Sequence, residues 1–173
     1  NTLHKNGASV VLNWVEGDNY RVVAGAALAY GHCVVARSPI DVNLAKQLNI
    51  LLGNMDLPHD RIIMDPLTGA LGYGLEYTFS VMERIRLTAL SGDSALAFPM
   101  LVHVGQEVWK TKEANAPQKS FPAWGDVNKR SILFEIQTAM PLIMAGADIV
   151  ILYHPESLAT IRRNVTKLAQ HGK

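Results

Sequence analysis

A single cysteine, Cys33, occurs in the 173 residues. One thiol forms no internal disulfide and cannot by itself hold an iron–sulfur cluster, which needs a full set of thiolates; Cys33 is expected in the core. A strong charge of one sign is also missing, because 16 Lys and Arg against 15 Asp and Glu leave +1. The one basic cluster, Arg162, Arg163 and Lys167, reads as a solvated helix face, and no nucleic-acid partner is expected. Long apolar runs are absent: Val22 to Tyr30 is too short to cross a bilayer and Met140 to Leu152 is broken by Asp148. No basic-then-apolar segment opens the chain, so a cytoplasmic, reducing compartment and no membrane contact are the expectations.

Several chemical signatures are missing too. No Gly-x-Ser-x-Gly elbow occurs and nothing pairs Cys33 with a base, which leaves covalent catalysis without a nucleophile. Gly69, Gly72 and Gly74 match neither the dinucleotide fingerprint nor the P-loop, since no Lys-Ser or Lys-Thr follows the last glycine. His103 and His154 lack a third ligand at a recognisable spacing, so hydrogen-bonding imidazoles are favoured over a metal site.

What is present is a folded α/β pattern. Hydrophobic residues make up 49% and charged residues 18% of the chain, which suits a single domain over residues 1–173. Five almost continuously apolar segments, Val10 to Trp14, Cys33 to Ala36, Arg61 to Met64, Met100 to Val104 and Ile149 to Tyr153, have the composition of parallel strands covered on both faces. Helical patterns follow each, near 19–30, 41–54, 74–90, 126–145 and 155–170. Asp18 or Asn19, Asp41 and Asp126 suit helix starts, Gly31 and Gly146 suit helix ends, and Pro155 with Glu156 suits a first turn. Pro141 predicts a bend in the fourth helix. Ala114 to Trp124, with two prolines and no period, predicts a surface excursion.

Repeated β-α units lead to a doubly wound sheet or to a barrel of eight units. In either, the carboxyl ends of the strands carry the site, and here they present Asn13 and Trp14, Arg37 and Ser38, Asp65 and Thr68, His103 and Gly105, then His154. Asp65 can act as a base, hold a cofactor amide or simply fix a turn through its Asp-Pro step. The loop Asp65-Pro66-Leu67-Thr68-Gly69-Ala70-Leu71-Gly72-Tyr73-Gly74 lets backbone approach a ligand closely. Tyr73 and Tyr77, four apart, favour core positions over the wall of a flat cofactor. Trp109 and Trp124 flank the excursion and suit either a partner contact or a buried rim helix.

Ser38-Pro39-Ile40-Asp41-Val42-Asn43-Leu44-Ala45-Lys46-Gln47-Leu48-Asn49, the stretch from Asp65 to Tyr77, and Val81-Met82-Glu83-Arg84-Ile85-Arg86 together resemble one family. So do Trp109-Lys110-Thr111-Lys112-Glu113-Ala114, Trp124-Gly125-Asp126, Ala145-Gly146-Ala147-Asp148 and His154-Pro155. The family is the small, or delta, subunit of the corrinoid iron–sulfur protein of the acetyl-CoA synthase/decarbonylase system. The resemblance implies a TIM-type barrel, of which this chain supplies the last five β-α units. It also implies a noncatalytic subunit that covers a corrinoid (cobalamin) held by a large, or gamma, subunit, with no iron–sulfur cluster of its own. Acetyl-CoA synthase and a methyltransferase are its transient partners, and the methyl donor is a methyl-tetrahydropterin. The expected cofactor-facing residues are Asn13, Ser38, Asp65, Thr68, Gly69, Gly72, Tyr73, His103 and His154, with no catalytic residue and no metal ligand. Leu67 stands where a Thr is expected and removes one hydroxyl contact. Two alternatives stay open: a stand-alone barrel methyltransferase that grips a methyl-pterin through Asp65 and Asn13, and a purely architectural subunit.

Overall fold

In a computed structural model, which describes residues 9–69, 71 and 74–171 (of His171 the backbone alone), the five predicted β-α units are all found. The strands are β1 (Val11–Val15), β2 (Cys33–Arg37), β3 (Ile62–Asp65), β4 (Leu101–Val102) and β5 (Ile149–Val150). The helices are α1 (Tyr20–Tyr30), α2 (Val42–Gly53), α3 (Leu75–Leu90), α4 (Val104–Val108), α5 (Lys112–Asn115), α6 (Val127–Met144) and α7 (Pro155–His171). All pairings are parallel: β1 with β2, β2 with β3, and β4 with β5, with an isolated bridge from Met64 to Met100 linking the two sets. The strands therefore lie in chain order. The principal helices α1, α2, α3, α6 and α7 also pack side by side in that order. A doubly wound sheet would reverse direction and place helices on both faces; this sheet is singly wound with its helices on one side.

Alternation along each strand divides the chemistry. Val34, Ala36, Ile62, Met64 and Val102 join the helix-facing core with Ala24, Leu48, Met82, Leu142 and Ile161. Val35 and Leu101 are buried but lie outside that cluster, and the same face carries Arg37, Asp65 and His103 two residues further on. Asp41 caps α2 by accepting from the Asn43 and Leu44 N–H groups, and Asp126 caps α6 by accepting from Lys129 N–H. Gly31 closes α1 at φ 70°, in the left-handed region that a side chain disfavours.

Two expectations are corrected. Cys33 is only half-buried, because it opens β2 opposite the exposed Val11 at the amino end of the sheet. Tyr77 is 61% exposed on α3, where the buried stripe is Thr78, Val81, Met82 and Ile85. Pro141 lies inside α6, which continues to Met144; so near the end of the helix its missing N–H removes a single rung. The excursion from Ala114 to Trp124 is mostly exposed, as expected, and holds the end of α5 and a 3-10 turn at Pro122–Trp124.

Arg130 holds that excursion to α6. Its guanidinium donates to the carbonyls of Glu113, Ala116, Trp124 and Gly125, and it lies over the Trp124 ring, which stacks on Phe121 at 4.2 Å. A planar fork reaches several carbonyls at once and an ammonium does not. Arg130→Ala is expected to lower stability by about 2 kcal/mol and Arg130→Lys to recover little of it. Tryptic cleavage at Lys119 should accelerate in both; unchanged cleavage would show that the segment is held by other contacts.

Candidate functional site

At the carboxyl end of β3, Asp65 lies in register with Arg37 of β2. Asp65 is 1% exposed. Its Oδ1 accepts from Leu67 N–H at 2.9 Å, while Arg37 Nε stands 3.7 Å from Oδ2. Burial pushes the carboxyl above the ordinary carboxylate range; the Leu67 N–H, then Arg37, His103 and the Trp14 indole oppose it without overcoming it. The Trp14 N–H faces this carboxylate but meets no hydrogen-bond geometry, and remains buried without a partner among the described residues. Above the Trp14 ring lies the Arg37 guanidinium, 4.0 Å from its centroid, so Arg37 is fixed by an aromatic face, by Asp65 and, at 4.0 Å, by Glu16.

His103 leads from β4 into α4 and meets Trp14 edge-on at 5.4 Å. Asn13 Nδ2 is 3.4 Å from His103 Nε2; the amide donates, the ring accepts, and the neutral imidazole carries its proton on Nδ1. Burial lowers the His103 pKa first; Asp65 pulls it up and Arg37 pushes it down. Asn13 is exposed and His103 half-buried, so these two form the open rim of a group whose floor is Asp65, Arg37 and Trp14. Beside it, between the β1–α1 loop and α2, lies a cleft of ≈ 410 Å³ lined by Glu16, Asp18, Arg37, Pro39 and Leu44.

Asn19, one of the two residues expected to start α1, is its N-cap, yet its side chain ties the end of β1: it accepts from Glu16 N–H and donates to the Trp14 carbonyl. Beyond Asp65 the loop is pinned from α3, where the Thr78 hydroxyl donates to the Leu67 carbonyl and accepts from Gly69 N–H. Leu67 holds φ 68°, a left-handed conformation that costs a non-glycine residue about 1 kcal/mol.

Of the nine predicted residues, Asn13, Asp65 and His103 come together. Ser38 adjoins them by donating its N–H to the Asp65 carbonyl. Ser38 and Thr68 are buried and their hydroxyls lack partners among the described residues, and Gly69 is half-buried. Gly72 and Tyr73 lie outside the described residues. His154 belongs to a second group, with its ring stacked on Trp109 at 6.2 Å. Two site residues were not singled out from sequence although both were placed at strand ends, Arg37 and Trp14. Glu135 was missed entirely. It lies on α6 at 0% exposure, and its place on the helical stripe Ser131, Glu135, Thr138, Ala139, Leu142 was the available signal. No three His, Cys, Asp or Glu side chains converge on a metal position among the described residues, and no helix there is long and apolar enough to cross a membrane.

Singly wound parallel strands with a polar group on their carboxyl ends define a β/α protein, a class in which barrel members keep their sites at that edge. A search of solved structures returns dihydropteroate synthase from Anaplasma phagocytophilum with bound 6-hydroxymethylpterin-monophosphate, at TM-score 0.55 and 13% identity over 96% of this chain and 66% of that one; this likeness carries the fold alone. Residues 5–164 match the family model for the CO dehydrogenase/acetyl-CoA synthase delta subunit. The acetyl-CoA decarbonylase/synthase complex subunit delta 2 of Methanosarcina acetivorans is 42% identical over 149 residues, 84% of this chain and 34% of the relative. Subunit delta of Methanopyrus kandleri is 37% identical over 165 residues, 95% of this chain and 40% of the relative. The chain belongs to the delta-subunit family of CO dehydrogenase/acetyl-CoA synthase. It spans about a third of the length of the Methanosarcina relatives.

Proposed function

We propose that this chain is part of a noncatalytic subunit that covers a corrinoid held by a large partner subunit, while a methyl group passes between a methyl-tetrahydropterin and acetyl-CoA synthase in the cytoplasm. The observation that carries the proposal is a strand-end rim of neutral hydrogen-bonding groups, Asn13 and His103, over a buried floor. A corrinoid presents carboxamides at its edge, and a carboxamide with a neutral imidazole pairs with these without desolvating a free charge. The residues present therefore fit such a group. When bound, it supplies the methyl-carrying metal centre; Asn13, His103 and His154 orient its edge, and Asp65, Arg37 and Trp14 keep the rim in place. The five units are five of the eight in a closed barrel, a reading supported by in-order strands, one-sided helices and the TIM-barrel-like neighbour in fold.

The test is reconstitution. The full-length chain is expected to copurify with a corrinoid-loaded large subunit and to change its corrinoid absorbance, and Asn13→Ala with His103→Ala to remove the spectral change. If the full-length chain neither copurifies nor alters the spectrum, the proposal fails. Calorimetric binding of methyltetrahydrofolate to this chain alone, lost in Asp65→Ala, would instead establish the pterin-binding reading. Rim substitutions that break assembly while leaving methyl transfer intact in assembled complexes would establish an architectural one.

A further inference from the structure

Glu135 is a fully buried carboxylate with no cation paired to it among the described residues. Three N–H donors hold it instead. Oε1 accepts from Tyr153 N–H at 2.7 Å and from the Trp109 indole at 3.3 Å, and Oε2 accepts from His154 N–H at 3.2 Å. The two amides immediately precede α7, so the carboxylate also lies at the positive end of a 17-residue helix. A buried charge is tolerated only where such donors replace water.

What this carboxylate fixes is His154. Its backbone is held by Oε2, and its ring is stacked 12° from coplanar on Trp109, whose indole N–H is held by Oε1. His154 Nδ1 accepts from Glu156 N–H at 3.2 Å, which places the proton of the neutral ring on Nε2. Gly105 N–H donates to the Ile151 carbonyl at 2.8 Å and anchors the same segment from α4. From this convergence we infer that Glu135 is a positioning residue: through Trp109 and the two amides it presents the His154 Nε2–H as a fixed donor to a carbonyl or carboxamide oxygen on the molecule that meets the strand ends. The inference rests on the corrinoid-facing reading of that edge. A preorganised donor forfeits little rotamer entropy on binding, and that is what the clamp contributes.

The experiment is a double-mutant cycle in the full-length chain, read as affinity for the corrinoid-loaded large subunit and as the change in corrinoid absorbance on pairing. Glu135→Gln keeps the shape and one acceptor, and is expected to weaken pairing about tenfold in the parent. In a His154→Phe background it is expected to weaken pairing no further. Trp109→Phe, which leaves Glu135 in place, is expected to act in the same direction and also only when His154 is present. Equal losses from Glu135→Gln in both backgrounds would overturn the inference by making Glu135 structural alone. If His154→Phe leaves affinity and spectrum unchanged while Asn13→Ala with His103→Ala alters them, the positioning role is overturned and the corrinoid-facing edge stands. If none of these substitutions has an effect, the reading of that edge falls as well.

Discussion

Gly105→Ala is expected to destabilise the fold by about 3 kcal/mol, although helix propensity alone favours Ala over Gly by about 1 kcal/mol inside a helix. Sterics decide the sign. A Cβ at Gly105 would stand 2.6 Å from Tyr153 Cδ1, 2.8 Å from its Cγ and 2.8 Å from its backbone nitrogen. The exposed ring can swing away, but the backbone nitrogen cannot, because Glu135 Oε1 accepts its N–H at 2.7 Å. Relief therefore requires parting α4 from the β5–α7 connection, which also breaks the Gly105 N–H bond to the Ile151 carbonyl and shifts His154. A denaturant titration reads the loss as a lower midpoint at unchanged slope. A midpoint equal to or above the parent's would mean that this connection yields freely and that the clamp around His154 is soft.

The same region shows where sequence reading succeeds and where it stops. Cys33 to Ala36 and Arg61 to Met64 resolve into strands Cys33–Arg37 and Ile62–Asp65 because uninterrupted short apolar runs between turn signals leave few other structures. Met100 to Val104 has the same composition, yet only Leu101 and Val102 pair as a strand and Val104 already begins a helix. An apolar run suits a buried helical turn as well as a strand, and the close approach of Gly105 to Tyr153 just beyond the strand is a contact between residues 48 apart in sequence. The strand ends named Asn13, Asp65 and His103, since the carboxyl edge of a parallel sheet is set by topology. Glu135 escaped because a glutamate within a helix reads by default as solvated. Only the burial of its neighbours on the same stripe, and the donors that the end of α4 and the β5–α7 connection bring to it, show otherwise.

Asp65 gives the second large effect, and its two obvious substitutions are expected to diverge. Asp65→Ala removes the acceptor of Leu67 N–H and opens a void beside the half-buried Arg37, which should cost about 3 kcal/mol as that N–H is left unsatisfied and the space is not refilled. Asp65→Asn keeps an acceptor for Leu67 and removes a desolvated charge. Because burial raises the folded pKa above the unfolded value, the protonated side chain favours folding. That contribution is complete below the ordinary carboxylate pKa of about 3.9 and is lost as pH rises through the folded value. Above the folded value the ionised parent therefore bears a penalty that Asn does not, so Asp65→Asn should match or exceed its stability there. The difference should move against Asn as pH falls toward about 4, where the parent becomes neutral too. His103 provides an internal check. The Asp65 carboxylate is the leading influence that raises its pKa against burial, so in Asp65→Asn the imidazole should titrate lower than in the parent, as followed by NMR. An Asn variant markedly less stable than the parent above that value, with His103 unmoved, would show that pairing with Arg37 outweighs burial at this position. Were the pterin-binding alternative correct, Asp65→Asn would abolish methyl-pterin binding while remaining folded. In a corrinoid-covering subunit it should leave pairing with the large subunit nearly intact, because Asp65 lies beneath the rim that Asn13 and His103 form.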